Sequence, residues 1–386
     1  MSEKNHLGTI WGYLQWRGDL LLTQDGFNEV DNLLLCIISY IDFRRIDRLC
    51  SPDPADAMTI GGVCACLTEQ DEQVGLSPEP YIPLMRAVAA TKRFEEVKMF
   101  AFEDRRDAEK EMQFAAVSFL LPDNSVFVAY RGTDTSLVGW KEDFNMSFMS
   151  GVPAQLRATE YAVEIARRCP KRILRIGGHS KGGNLAAWAA MHLPEKLQRK
   201  RLLAAYNNDG PGFLAEVLQE EGCRQLGEKL YTFVPESSIV GILLEHGENY
   251  EVIASHNKAV MQHEPLSWAV LGKHFVRRDK YSEGSRITDD VLKEWIASTS
   301  LQERQEFVDA LFEILSRDGE IKTLDELQKG GVAGMASLVK HYVGAGEAQK
   351  KVIREVLRCL AVDFKDELLK TAEQGISQVM KDLRKR

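Results

Sequence analysis

Arg172-Ile173-Leu174-Arg175-Ile176-Gly177-Gly178-His179-Ser180-Lys181-Gly182-Gly183-Asn184-Leu185-Ala186-Ala187 reads as a short strand, a sharp turn and a helix. The turn carries Gly178-x-Ser180-x-Gly182, the pattern of a nucleophile elbow. A serine held between strand and helix lifts its hydroxyl above the sheet edge. The residues two positions away must lack side chains for the chain to pass. The helix that follows is rich in small residues, Ala186, Ala187, Ala189 and Ala190, which let it lie close to a sheet. Its N-terminus places partial positive charge beside the serine, where an oxyanion would develop.

Working outward, the pattern is one of alternating strands and helices. Val97 to Glu103 reads as a strand, and Phe114 to Leu121 and Ser125 to Arg131 flank the hairpin turn Pro122-Asp123-Asn124. The polar loop Arg131-Gly132-Thr133-Asp134-Thr135-Ser136 follows a strand end, and Pro153 opens a helix that runs to Arg168. After the elbow helix, Arg201 to Tyr206, Leu230 to Val234 and Tyr250 to Ser255 read as further strands. Short connections between such units predict an α/β protein with a mostly parallel central sheet and flanking helices. Functional groups then collect at the carboxyl ends of the strands, where Thr133, Ser180, Asp209, Glu236 and His263 all fall.

The flanks read differently. In the first 95 residues, positions 27 to 40 predict an amphipathic helix, with Val30, Leu33, Leu34, Ile37 and Ile38 on one face. The aromatic run Trp11 to Asp19 is expected to pack on the core, residues 51 to 80 to be loop, and Tyr81 to Lys92 to form a short helix. The α/β core is expected over residues 96–284, and an all-helical extension over 285–386. In that extension, Ser300-x-x-Glu303 and Thr323-x-x-Glu326 are capping boxes, and Ile353 to Leu368 carries an apolar stripe. Gly330 to Gly334 lacks the strand a phosphate loop needs, and Lys381 to Arg386 is a solvated basic tail.

Composition narrows the function. The chain has 386 residues, 44% hydrophobic and 27% charged, with a formal net charge of −8, so a nucleic-acid partner is not expected. No run approaches the roughly 18 apolar residues of a membrane span, and the N-terminus has no apolar signal core, so a cytoplasmic location is expected. The seven cysteines are scattered and read as reduced thiols, and Cys64-x-Cys66 lacks a second pair at zinc-ligand spacing. Neither metal nor cofactor is expected.

A serine hydroxyl needs a base, and the base a carboxylate that fixes its tautomer. In this arrangement the order along the chain is Ser, Asp or Glu, then His. His263, in the turn Gln262-His263-Glu264-Pro265, ranks ahead of His256 as the base, and His179 lies inside the elbow where its ring cannot easily reach back. Asp209 ranks ahead of Glu236 as the acid. The oxyanion would be met by the backbone N–H of Lys181 and one from the Gly132-Thr133-Asp134 loop, with the Thr133 hydroxyl as a further donor.

Tyr130-Arg131-Gly132-Thr133-Asp134 with Trp140 and Asp143, followed by Gly178-His179-Ser180-Lys181-Gly182-Gly183, resembles the class 3 lipase superfamily over roughly residues 95 to 270. Trp16-Arg17-Gly18-Asp19, Phe27 to Leu33, the elbow and Gln262 to Pro265 resemble, over nearly the whole chain, a bacterial lipase-like family known as a domain of unknown function. The resemblance implies an α/β-hydrolase fold, Ser180 as nucleophile, His263 as base and Thr133 in the oxyanion loop. Two positions depart from the lipase pattern. Lys181 stands where leucine is usual, and Ser238-Ile239-Val240-Gly241 has no acid where Asp is usual. Asn208 to Phe213 instead resembles the acid loop of pancreatic-type lipases, which favours Asp209. The function expected is serine hydrolysis of a small or lipid-like acyl ester or thioester. The alternative is a binding protein of the same fold that engages a protein partner through its C-terminal helices.

Overall fold

The computed structural model describes residues 8–68, 81–238, 240–242, 244–247, 250–279, 299–316 and 322. Five features of the sequence lie outside these residues: the second capping box at Thr323, the glycine run at 330, the apolar stripe from Ile353, the basic tail, and Cys359.

Eight strands form one sheet in sequential order: β1 (Met58–Thr59), β2 (Lys98–Asp107), β3 (Met112–Leu120), β4 (Ser125–Tyr130), β5 (Ile173–His179), β6 (Leu202–Asn208), β7 (Leu230–Pro235) and β8 (Tyr250–Ile253). The first three pairings are antiparallel and the four from β4 to β8 are parallel. A small antiparallel pair, β9 (Val270–Leu271) and β10 (His274–Phe275), stands apart from it. The antiparallel start follows from the tight turn at Asn124, which sits at φ +63°. The parallel half follows from helical crossovers.

Helices cover both faces. On one side lie α1 (Ile10–Arg17), α2 (Glu29–Ile38), α3 (Asp47–Cys50), α4 (Ile60–Cys66) and α5 (Tyr81–Ala89), which share a core with Phe119, Phe127, Tyr206 and Phe233. The opposite core joins Val126, Val128, Leu174 and Ile176 to residues of α7 (Pro153–Arg168) and α8 (Lys181–Met191). Strand β4 is buried along its whole length because its alternate residues feed the two cores. Helix α6 (Leu137–Asn145) follows the Thr133 loop, and α9 (Glu195–Lys200), α10 (Ala215–Leu218) and α11 (Glu221–Leu226) connect the later strands. Helix α12 (Leu301–Ser316) begins at the expected capping box, in which Ser300 Oγ accepts from the Glu303 N–H at 3.2 Å. It packs on α6 through Phe312 against Phe144, and Asp309 pairs with Lys141 at 2.7 Å. This is the α/β-hydrolase fold.

Two expectations need correction. Residues 51–80 are not simply loop, because β1 adds an edge strand and α4 forms over Ile60–Cys66. Thr59 caps α4 by accepting from the Gly62 N–H at 3.0 Å, and the paired glycines Gly61-Gly62 hide that helix from a composition reading. Helix α2 is not half exposed: every residue from Val30 to Ile38 is buried. Its polar residues are buried because they are bonded. Asp31 accepts from Arg93 and from Tyr13 Oη at 2.7 Å, and Asn32 donates to Asn208 Oδ1 at 2.9 Å. Among the described residues, no helix is long and apolar enough to cross a membrane.

Candidate active site

Strand β5 delivers Ser180 to the carboxyl edge of the sheet, between β4 and β6. Ser180 adopts φ +59° and ψ −136°, a conformation that costs a non-glycine residue of order 1–3 kcal/mol. The glycines on either side explain how the turn closes. A Cβ on Gly178 would lie 2.0 Å from the Gly182 carbonyl oxygen, and one on Gly182 would lie 2.2 Å from that of Tyr130. Helix α8 starts immediately at Lys181, so its first N–H groups have no acceptor within the helix and point to the side of the serine. The helix can sit this deep because Ala186, Ala187, Ala189 and Ala190 are all fully buried against its neighbours.

Asp209 arrives at the end of the adjacent strand, β6, also with positive φ, +55°. Its N–H is fixed by the Phe233 carbonyl at 2.8 Å. One carboxylate oxygen accepts from the Ser238 hydroxyl at 2.6 Å, and the other meets His263 Nδ1 at 2.6 Å. Burial raises the Asp209 carboxyl above its ordinary range, against the opposing pull of the His263 imidazole and the Ser238 hydroxyl. Ser238 lies in the stretch where the lipase pattern leads one to expect an acid. Here that stretch supplies a donor to an acid from the preceding strand.

His263 ends a 3-10 turn, Ala259–His263, that is tied down on several sides. Trp268 Nε1 donates to the Gln262 carbonyl at 3.0 Å, and Gln262 Oε1 accepts from the Ser237 N–H at 2.7 Å. His179, the residue before the serine, contacts the turn directly. Its Nε2 lies 2.9 Å from the His263 carbonyl, and the two rings have centroids 4.7 Å apart. A carbonyl can only accept, so Nε2 carries the proton, and Nδ1 accepts from Tyr40 Oη at 3.1 Å. Burial, with the neighbouring His263, holds the His179 pKa well below the ordinary histidine value, so the ring is neutral. The elbow thus positions the imidazole of residue 263 through its own backbone neighbour.

The remaining candidates separate. Glu236 follows β7 but faces Arg278, 3.7 Å away, and His256 Nε2 donates to the Gly8 carbonyl at 2.9 Å. Neither takes part in the Asp209–His263 contact. The loop after β4 passes close over the serine: a Cβ on Gly132 would lie 3.0 Å from Ser180 Cβ. The next residue, Thr133, donates its hydroxyl to Asp143 Oδ2 at 2.5 Å. In the expected oxyanion loop, that hydroxyl is therefore engaged by Asp143.

Four groups around the site were not assigned a role from sequence. Tyr40, Ser238 and Gln113 come from distant segments with no motif of their own. Glu142, buried on α6, accepts from the Gln113 and Ala154 N–H groups at 3.0 and 2.8 Å. Its partner is the Lys181 ammonium, also at 3.0 Å. The only advance signal was the charged run Lys141-Glu142-Asp143 on a helix with few other polar positions. Among the described residues, no cluster of His, Cys, Asp and Glu is arranged to hold a metal ion.

The fold can be set beside known proteins. Similar solved structures include a Penicillium cyclopium protein, the N225Q mutant of MDLA, at 15% identity and a TM-score of 0.38, covering 67% of this chain and 90% of that one. A Rhizomucor miehei lipase in complex with its propeptide is similar at 15% identity and a TM-score of 0.35, covering 53% and 67%. Lip2 lipase of Yarrowia lipolytica follows at 12% identity and a TM-score of 0.34, covering 66% and 92%. No protein of curated function matches the sequence. The Mbeg1-like family model matches residues 88–313, which span the sheet from β2 onward, the elbow, the Asp209–His263 pair and helix α12 as far as residue 313. With more than half of its length matched, the chain belongs to the Mbeg1-like family.

Proposed function

We propose that the protein is a serine hydrolase that cleaves an ester or thioester of a lipid-like acyl group through an acyl-enzyme. The observation that carries this reading is the 2.6 Å contact between Asp209 and His263 Nδ1, on the strand next to a serine held at φ +59°. With Nδ1–H directed at a carboxylate, Nε2 of the same ring is the unprotonated nitrogen, the one that acts as base.

In this reading Ser180 Oγ attacks the acyl carbon while its proton passes to His263 Nε2. The carbonyl oxygen becomes an oxyanion met by the Lys181 N–H and an N–H of the Gly132-Thr133-Asp134 loop. The tetrahedral intermediate collapses, the alcohol or thiol leaves with the proton from the imidazolium, and the acyl group stays on Ser180. Water, deprotonated by the same imidazole, then attacks the acyl-enzyme and releases the acid. Each oxyanion donor is worth about 2.7–4 kcal/mol in such sites. The Asp209 carboxylate stabilises the imidazolium formed in both halves.

The test is turnover of a panel of p-nitrophenyl esters of increasing chain length and the matching thioesters. Wild type is expected to release acid with a preference along the chain-length series. Ser180→Ala and His263→Ala, folded by circular dichroism, are expected to fall by at least about 10³ in kcat. Equal activity in wild type and Ser180→Ala would overturn the assignment. No turnover of any substrate would leave the fold as a binding scaffold.

A further inference from the structure

The lysine after the elbow serine is a departure from the lipase pattern, and its side chain does something the backbone reading does not need. Lys181 is 1% exposed. Its ammonium lies 3.0 Å from the Gln113 carbonyl on β3, 3.0 Å from Glu142 Oε2, and 3.7 Å from Asp143 Oδ1. Asp143 Oδ1 is buried with no hydrogen-bond partner, while Asp143 Oδ2 holds the Thr133 hydroxyl. One residue therefore touches both sides of the proposed oxyanion hole. Its N–H belongs to the helix that starts at the serine, and its side chain ends at the carboxylate that anchors the opposite loop.

We infer that Lys181 is a positioning residue: its buried ammonium keeps Asp143 ionised, and the ionised Asp143 fixes the Thr133 loop at the distance from the elbow that oxyanion binding requires. The inference rests on the hydrolase reading above. The electrostatics of the cluster agree with it. Burial raises the Asp143 carboxyl to about 6, with Lys181 and the Thr133 hydroxyl pulling it down, and Glu142 and Asp134 pushing it up. Asp134 is itself turned to Arg106 at 2.6 Å and Arg131 at 3.8 Å. Lys141, next along α6, is engaged by Glu111 and Asp309. Lys181 is thus the cation closest to Asp143 among these groups. Burial opposes its charge, but Glu142 and Asp143 outweigh that, and its pKa is raised.

The sign of the pH effect follows. Asp143 accepts the Thr133 hydroxyl most strongly when ionised, as a charge-assisted bond, so the anchor of the loop weakens as pH drops through about 6. Removing the ammonium removes an attraction that holds the Asp143 pKa down, so the loss moves to higher pH. The imidazole of His263 must also be unprotonated to act as base, so the effect of Lys181 is read as the difference between the backgrounds with and without Asp143.

The experiment begins with wild type and Ser180→Ala treated with a fluorophosphonate. If wild type does not label, the hydrolase reading fails and this inference has no reaction to act on. If it labels, kcat and KM are measured from pH 5 to 9 for wild type, Lys181→Met, Asp143→Asn and the double variant. Lys181→Met is expected to lower kcat by about 10²-fold with KM changed less than threefold, and to shift the acid limb upward. In the Asp143→Asn background the same substitution is expected to leave the acid limb where it is and to change kcat by less than threefold. A Lys181→Met protein that folds but keeps the wild-type limb and kcat overturns the inference. So does a full, independent loss in the Asp143→Asn background. If Lys181→Met fails to fold, Asp143→Asn alone decides. Its acid limb must lose the component near pH 6, and an unchanged limb overturns the inference.

Discussion

At the scale of single residues, the site depends on which carboxylate meets the imidazole. Asp209 lies at 2.6 Å from His263 Nδ1, whereas Glu236 is turned to Arg278. Asp209→Asn is therefore expected to lower kcat by about 10⁴ without unfolding the protein, and Glu236→Gln by less than twofold, measured as ester turnover. Thr133→Val is expected to cost about 10-fold or more in kcat with little change in KM, because the loop loses its anchor on Asp143. Much of this was legible in the sequence. The glycines around Ser180 predict the elbow, and the turns at Asn208 to Phe213 and Gln262 to Pro265 rank Asp209 and His263 ahead of Glu236 and His256. The direction of the Thr133 hydroxyl was not legible, because it depends on Asp143, ten positions on, being turned inward by a helix whose register the sequence leaves open. The anchoring of the His263 turn by His179 was equally hidden, since it runs through a backbone carbonyl that no side-chain pattern announces.

At the scale of elements, α2 shows what a periodicity reading misses. Its apolar spacing predicts one buried face, but Asp31 and Asn32 are buried as well because partners from other segments satisfy them. The side chains of Asp31 and Arg93 are fully buried and pair at 2.5 Å. Breaking that pair strands a charge, so Arg93→Met is expected to destabilise the protein by about 3–5 kcal/mol in urea unfolding. Removing the charge on both sides, with Asp31→Leu added, is expected to recover part of the loss. This element also bears on the site. Asn32 holds Asn208, and Asn208 donates to the Gly178 carbonyl at 2.8 Å, so α2 steadies the elbow strand from below. The stretch Phe27 to Leu33, conspicuous in the sequence without an evident task, is explained by these bonds. Helix α4 stayed hidden for the opposite reason: its cap at Thr59 is ordinary, but its glycines are poor helix formers.

For the whole molecule, adjacent parallel strands end at Ser180 and Asp209, the turn ending at His263 meets Asp209 and His179, and the helices of the first 95 residues pack on one face of the sheet. The buried, neutral His179 ties stability to pH. Its folded pKa lies far below the unfolded value of about 6.5, so the unfolded chain takes up a proton that the folded one refuses. Its contribution is present above that value and is lost as pH falls, at up to about 1.4 kcal/mol per pH unit. Urea unfolding at pH 7.5 and 5.5 is expected to show this slope in wild type, and a smaller slope in His179→Gln. The account as a whole turns on whether the serine at the elbow is activated by the pair beside it. The most direct measurement is the intact mass of the protein after exposure to a fluorophosphonate at neutral pH, with the adduct mapped to a peptide. One stoichiometric adduct on Ser180 is predicted, slowed by orders of magnitude in Asp209→Asn and His263→Ala. An unmodified protein, or modification equally fast in all three, would contradict it.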